Sequence, residues 1–165
     1  LSFDGIDDCV EIPGLLGKSR NITISIWANL RVGDTSGAEA VSLGDYVAIR
    51  LDSARNEGVV GFYYDGTTWH ATTTGMLYAG AGWHHVVYVI DASNTSQNVY
   101  IDGVVMGSTA HTQSLSYVGL GSNTFIGKHG NGISNYDFNG LIDDVRVYNR
   151  ALSNQEVLDL FNNSN

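Results

Sequence analysis

The chain predicts an all-β domain, two antiparallel sheets packed face to face with one short helix at the C-terminus. Three observations carry this. Short runs of alternating apolar and polar residues follow one another along almost the whole chain. Asp-Gly pairs stand between several of them, where a tight hairpin needs them. Only the last dozen residues show helical spacing. Twenty glycines against one proline fit a chain that turns often. At 165 residues, 43% of them hydrophobic, the chain makes one domain over residues 1–165 with a proper core.

The elements follow in order. Phe3-Asp4-Gly5 starts a turn before the strand Cys9–Ile12, in which the lone Cys9 is expected to be a buried, inert thiol. Ile22, Ile24, Ile26, Ala28 and Leu30 alternate with Thr23, Ser25, Trp27 and Asn29, as in a half-buried strand. Further strands are expected near Ala40–Leu43, Val47–Leu51 and Thr124–Gly127. Gly61–His70 reads as a hairpin turning at Asp65-Gly66, and Val99–Val105 as one turning at Asp102-Gly103. Trp83–Ile90 is almost continuously apolar or aromatic, the pattern of a strand covered on both faces, and Trp27 and Trp83 are assigned to the core. Gly33–Ala38 and Gly127–Tyr136 are the longest loops. About a dozen strands joined this way make a jelly-roll sandwich.

The C-terminal stretch Phe138–Ser153 runs from a strand into a capped helix. Ser153-Asn154-Gln155-Glu156 is a capping box, Val157, Leu158, Leu160 and Phe161 give the helix an apolar side, and Asn162–Asn165 should fray. Within the strand, Leu141, Asp143, Val145 and Val147 share one face by its two-residue period. Asp143 is therefore read as a carboxylate on a buried face, where an unpaired charge is costly. A cation is one partner it could have; a backbone turn is another.

The net charge is −9 and the pI about 4.7. A phosphate backbone would be repelled, so nucleic acid is not expected as a partner. Thirteen aspartates against four glutamates suit turns first and calcium second. No apolar run is long enough to cross a bilayer, so no membrane insertion is expected. With Leu1 opening directly on a strand, the chain is read as a mature or excised module.

Five segments resemble, in order and over nearly the whole chain, the laminin-G-like, concanavalin A-like jelly-roll domains. They are Leu1–Pro13, Ile22–Trp27, Gly82–Val86, Val99–Gly103 and Asn139–Leu152. The family includes pentraxin-like lectins, sugar-binding modules of secreted glycoside hydrolases and adhesion domains. The resemblance implies a structural calcium where the N-terminal turn meets the last strand, with Asp143 and Asp4 as ligands and Asp8 in reserve. Calcium takes about six to eight oxygens, so these are part of a site only. The alternative is that Asp143 accepts bonds from a loop and Asp4 merely builds its turn.

The glucanases of this fold carry an E-x-D-x-x-E pattern that sets two carboxyls across the sugar bond. Glu11, Glu39, Glu57 and Glu156 begin no such pattern, and there is no nucleophile elbow, zinc-protease or phosphate-loop motif, so the chain is read as non-catalytic. His84 and His85 are neighbours on a strand, point to opposite faces and are read as structural.

Sugar rings stack on exposed Trp and Tyr while Asp, Asn and His fix their hydroxyls. Tyr64, Asp65, Trp69 and His70 have that composition at a hairpin tip. Tyr46, His129 (in the glycine-rich stretch Gly127–Gly132) and Tyr136 are placed with them. The competing role for each is packing, since strand aromatics commonly fill cores. These readings point to a non-catalytic carbohydrate-binding or adhesion module, stabilised by calcium. It would be an extracellular or cell-surface part of a larger secreted protein, with a glycan or polysaccharide as partner. The second reading is a structural or protein-binding domain without a sugar site; a glycoside hydrolase comes third.

Overall fold

A computed structural model describes residues 1–33, 37–52 and 57–163. Part of the expected loop over 33–38 and the end of the expected frayed tail, residues 34–36 and 164–165, lie outside the described residues. Twelve strands precede one helix: β1 (Ser2–Asp4), β2 (Val10–Ile12), β3 (Ile22–Leu30), β4 (Ala38–Leu43), β5 (Val47–Leu51), β6 (Val60–Tyr64), β7 (Trp69–Thr73), β8 (His84–Asp91), β9 (Ser96–Ile101), β10 (Val104–Ala110), β11 (Thr124–Ile126), β12 (Asn139–Tyr148) and α1 (Asn154–Asn163).

They form two antiparallel six-stranded sheets, ordered β1-β12-β3-β8-β9-β10 and β2-β11-β4-β5-β6-β7. The core lies between them. Ile22, Ile24, Ile26, Ala28 and Leu30 of β3 are all buried, as their alternation requires, in one cluster with Val41, Leu43, Val47, Ile49 and Leu51 of the other sheet. Beside the free edges Thr72 Oγ1 donates to Thr109 Oγ1 at 2.7 Å, tying β7 to β10 across the gap.

The helix explains the continuous apolar run of β8. Val87 and Val89 leave the central core on the outer face, where Leu152 and Val157 cover them together with Tyr100. Ser153 caps the helix as expected: its Oγ accepts from the Glu156 amide at 3.3 Å, and the Glu156 carboxylate accepts from the Ser153 amide at 2.8 Å. Trp27 also lies on this outer face, stacked on Phe161 with ring centroids 5.9 Å apart, and not in the inter-sheet core. Trp83 falls one residue before β8 and is 44% exposed.

Turn chemistry decides the two expected hairpins. Asp102 and Gly103 both take positive φ (51° and 80°), as a two-residue hairpin demands. Asp65-Gly66 instead belongs to a four-residue loop over 65–68, because Asp65 Oδ1 accepts from the amides of Thr67 (2.7 Å) and Thr68 (2.8 Å) and widens the turn. Cys9 is exposed and precedes β2.

Asp143 corrects the reading of β12. A bulge between Asp143 and Arg146, with Asp144 at φ 46°, flips the side-chain alternation. Ile142 ahead of it is fully buried and Val145 and Val147 behind it pack on the core, while Asp143 is exposed. The carboxylate needs no buried partner; its Oδ1 accepts from the Asp144 amide at 2.9 Å.

Candidate functional site

The site is built on the outward face of the second sheet, at the end carrying the β4–β5 turn. The pleat sorts the hairpin residues. Tyr64 pairs with Trp69 and Tyr63 with His70, so the two pairs face opposite ways. Tyr63 is fully buried, which sends Tyr64 and Trp69 to the outer face, ring centroids 4.8 Å apart. Trp69 is 49% exposed, and its indole N–H donates to the Asp45 carbonyl at 3.2 Å. A large aromatic face is thus open to solvent and held in one orientation.

Tyr46 supports this pair from below. It is buried, its ring lies 6.5 Å from Tyr64 and 5.6 Å from Tyr117, and its hydroxyl accepts from the Leu120 amide at 2.7 Å. Burial pushes the Tyr117 phenol up to about 12. On the far side of Asp45 stand His129 and Tyr136, stacked at 4.9 Å, with the Arg50 guanidinium 3.9 Å from the Tyr136 ring. His129 Nε2 lies 3.4 Å from Asp45 Oδ1. Burial raises the Asp45 carboxyl to about 6, and the neighbouring His129 opposes the rise.

Asp45 also lines a cleft of about 640 Å³ whose walls include Glu11, Ser122, Asn123, Lys128 and Asn131. Glycines shape its floor: a Cβ on Gly130 would run into the Asp45 backbone nitrogen, and one on Gly121 into the Gly130 carbonyl. Backbone approaches backbone here because neither position carries a side chain.

Five predicted residues, Tyr46, Tyr64, Trp69, His129 and Tyr136, are therefore joined through Asp45. Asp65 and His70 are not part of this group. His70 Nε2 lies 2.7 Å from Asp65 Oδ2, and its ring stacks on Tyr63 at 4.9 Å. The His70 hydrogen bond, with those from Thr67 and Thr68, holds the Asp65 carboxyl well below the usual range. The pair braces the hairpin loop from its inner side.

The register also separates the two expected metal ligands. Asp4 pairs with Asn139, four residues along β12 from Asp143, a span of about 13 Å at about 3.3 Å per residue. Asp4 has other company: Asp4, Asp7 and Asp8 each offer a carboxylate oxygen within 4.8 Å of the others. This exposed, all-oxygen set suits calcium in kind; Asp143 is not in it.

Sequence reasoning missed the buried Glu39 and its half-buried partner Arg50, 3.0 Å apart beside Asp45. The signal was present. Glu39 stands between Ala38 and Ala40 at the head of an apolar strand, so the buried strand carboxylate sought at Asp143 is Glu39.

The two-sheet fold is that of a concanavalin A-like jelly-roll domain. Over residues 4–158 the chain matches the concanavalin A-like lectin/glucanases superfamily, in its laminin-G-like branch, and belongs to it. Three solved structures are similar. Domain 4 of AbnA, a GH43 extracellular arabinanase from Geobacillus stearothermophilus solved with arabinotriose, is 23% identical, with 96% of this chain and 74% of that one covered, at TM-score 0.73. The native heptameric SAP-like pentraxin from Limulus polyphemus is 15% identical over 97% and 80%, at TM-score 0.67. The NanB sialidase from Streptococcus pneumoniae is 16% identical over 93% of this chain and 28% of its own, at TM-score 0.66. At these identities the likeness is one of fold. No curated protein matches the chain in sequence.

Proposed function

We propose that this domain is a non-catalytic carbohydrate-binding or adhesion module, serving a larger secreted or surface protein by holding it on a glycan. The observation that carries the proposal is Trp69. A half-exposed indole, backed by Tyr64, is fixed by its bond to Asp45, and Asp45 itself lines a cleft walled by amide, hydroxyl, carboxylate and ammonium groups. A pyranose or furanose ring stacks its C–H face on such a ring while its hydroxyls meet the polar wall. The arabinotriose complex of the similar arabinanase domain agrees with this class of ligand.

Calcium, in this proposal, is structural and sits at the N-terminal turn. Asp4 Oδ1 is engaged by the Ile6 amide and Asp8 Oδ2 by the Asp4 amide, which leaves one oxygen on each, and those of Asp7, to hold the ion. Bound there, it would pin the turn to β12, where Asn139 Nδ2 already donates to the Asp4 carbonyl at 3.0 Å.

One observation favours the second reading, a protein-binding domain. The edge strand β10 exposes Val104, Val105 and Met106 in a row. A glycan array run in calcium and again in EDTA separates the two. Specific sugar signal supports the proposal. A folded protein silent on every glycan under both conditions would replace it with the protein-binding reading.

A further inference from the structure

Beside the cleft, three ligand-type side chains converge out of solvent. Glu39 of β4, Asp45 of the β4–β5 turn and His129 of the loop after β11 each offer an atom within 4.8 Å of the others. All three are buried, at 0%, 7% and 6% exposure. Their hydrogen bonds fix which atoms are free.

Asn131 Oδ1 accepts from the Ile133 amide at 3.1 Å, which identifies that atom as the oxygen. It also lies 2.7 Å from His129 Nδ1, a closer contact than the 3.3 Å from the Asn131 amide to the same nitrogen, and we assign the proton to Nδ1 on that shorter contact. Nε2 then turns its lone pair toward Asp45 Oδ1, 3.4 Å away. Two lone pairs face each other there, so the gap calls for either a proton or a metal ion between them. Their separation exceeds the usual N–H···O range of about 2.7–3.2 Å. It equals the edge of a tetrahedron around zinc, about 3.3–3.4 Å for bonds of about 2.0–2.1 Å.

Glu39 points the same way. Arg50 Nη2 takes Oε2 at 3.0 Å, while Oε1 is buried and makes no hydrogen bond among the described residues. A buried oxygen left without a partner is costly, and a metal ion would remove that cost.

We infer that Glu39, Asp45 and His129 form a divalent metal site that takes zinc, held between the β4–β5 turn and the loop after β11. One imidazole nitrogen with two carboxylates is a zinc donor set; calcium and magnesium prefer all-oxygen cages. The His129 Nδ1–H···Oδ1 Asn131 bond is the outer contact that orients a ligating histidine. Three protein ligands leave a fourth position for water. Asp45 and Asn131 also line the cleft, which provides the path for entry. This site is distinct from the Asp4/Asp7/Asp8 turn and holds whether or not the cleft binds sugar. A proton shared by His129 and Asp45 is the competing occupant of the gap.

The test is zinc chloride titrated into the chelator-stripped chain at neutral pH, by calorimetry and by ¹⁵N NMR of the histidine rings. One equivalent is expected to bind saturably and to move the His129 Nε2 resonance, leaving those of His70, His84, His85 and His111 in place. His129→Gln and Asp45→Asn should each weaken binding by about tenfold or more, a loss of about 1.4 kcal/mol or more. The NMR readout uses the unmutated chain, so a variant that fails to fold cannot hide the outcome. Absence of one-equivalent binding, shifts confined to the other histidines, or a His129 resonance that follows pH alone and ignores zinc would each overturn the site and leave the proton in its place.

Discussion

Replacing Trp69 by alanine should cost the domain most of its sugar affinity. The ring is 49% exposed. With about 250 Å² for a whole tryptophan side chain, about 120 Å² is open, and a stacked sugar ring covers between half of that and all of it. At about 25 cal/mol per Å² this is about 1.5–3 kcal/mol, a loss of about 12- to 160-fold in Kd. Trp69→Phe keeps an apolar face but loses the indole bond to the Asp45 carbonyl, so it should fall between the two. The assay is calorimetric titration of the strongest array glycan into the three proteins, with thermal melts run alongside. A Trp69→Ala protein that melts near the parent temperature and binds within about twofold of it would refute stacking as the source of affinity.

Three other outcomes follow. Burial lowers His85 from 6.5 to about 4, so the folded chain resists protonating a ring that the unfolded chain protonates. The stability it contributes is complete above pH 6.5 and is lost as pH falls toward 4, by about 3 kcal/mol; urea unfolding at several pH values should show that slope in the parent and not in His85→Gln. Asp4→Asn and Asp8→Asn should each reduce the rise in melting temperature on adding calcium, and a parent melt identical in calcium and EDTA would remove calcium from the account. Gly130→Ala should destabilise by about 1–3 kcal/mol and lower sugar affinity, because its Cβ would push on the Asp45 backbone and Ser42 Oγ; a melt unchanged from the parent would show that the loop gives way freely.

The strands were legible because each signal lay within a few residues. β3 alternates without a break, β8 is apolar on both faces, and Asp102-Gly103 can turn in only one way. What failed depended on partners distant in sequence or on a single backbone irregularity. Nothing in Leu141–Val147 announces the bulge that turns Asp143 outward. Asp65-Gly66 resembles a two-residue turn until the Asp65 carboxylate captures two amides. The aromatic group was half legible: alternation alone sets Tyr64 and Trp69 against Tyr63 and His70 once the register is known, and the register is what the sequence withholds. Glu39 could have been found, since a glutamate between two alanines in an apolar strand poses the same question as Asp143. The side chains that answer it, Arg50 and the Asp45–His129 pair, come from three other parts of the chain.

The measurement that bears most directly on the central claim is a ¹H–¹⁵N map of the isotope-labelled domain with the strongest array glycan added. The account predicts that the Trp69 indole N–H and the amides of Lys128, Asn131 and the 119–123 loop move together and saturate together. Shifts gathered instead along β10, with the Trp69 indole unmoved, would place binding on the other sheet and contradict it.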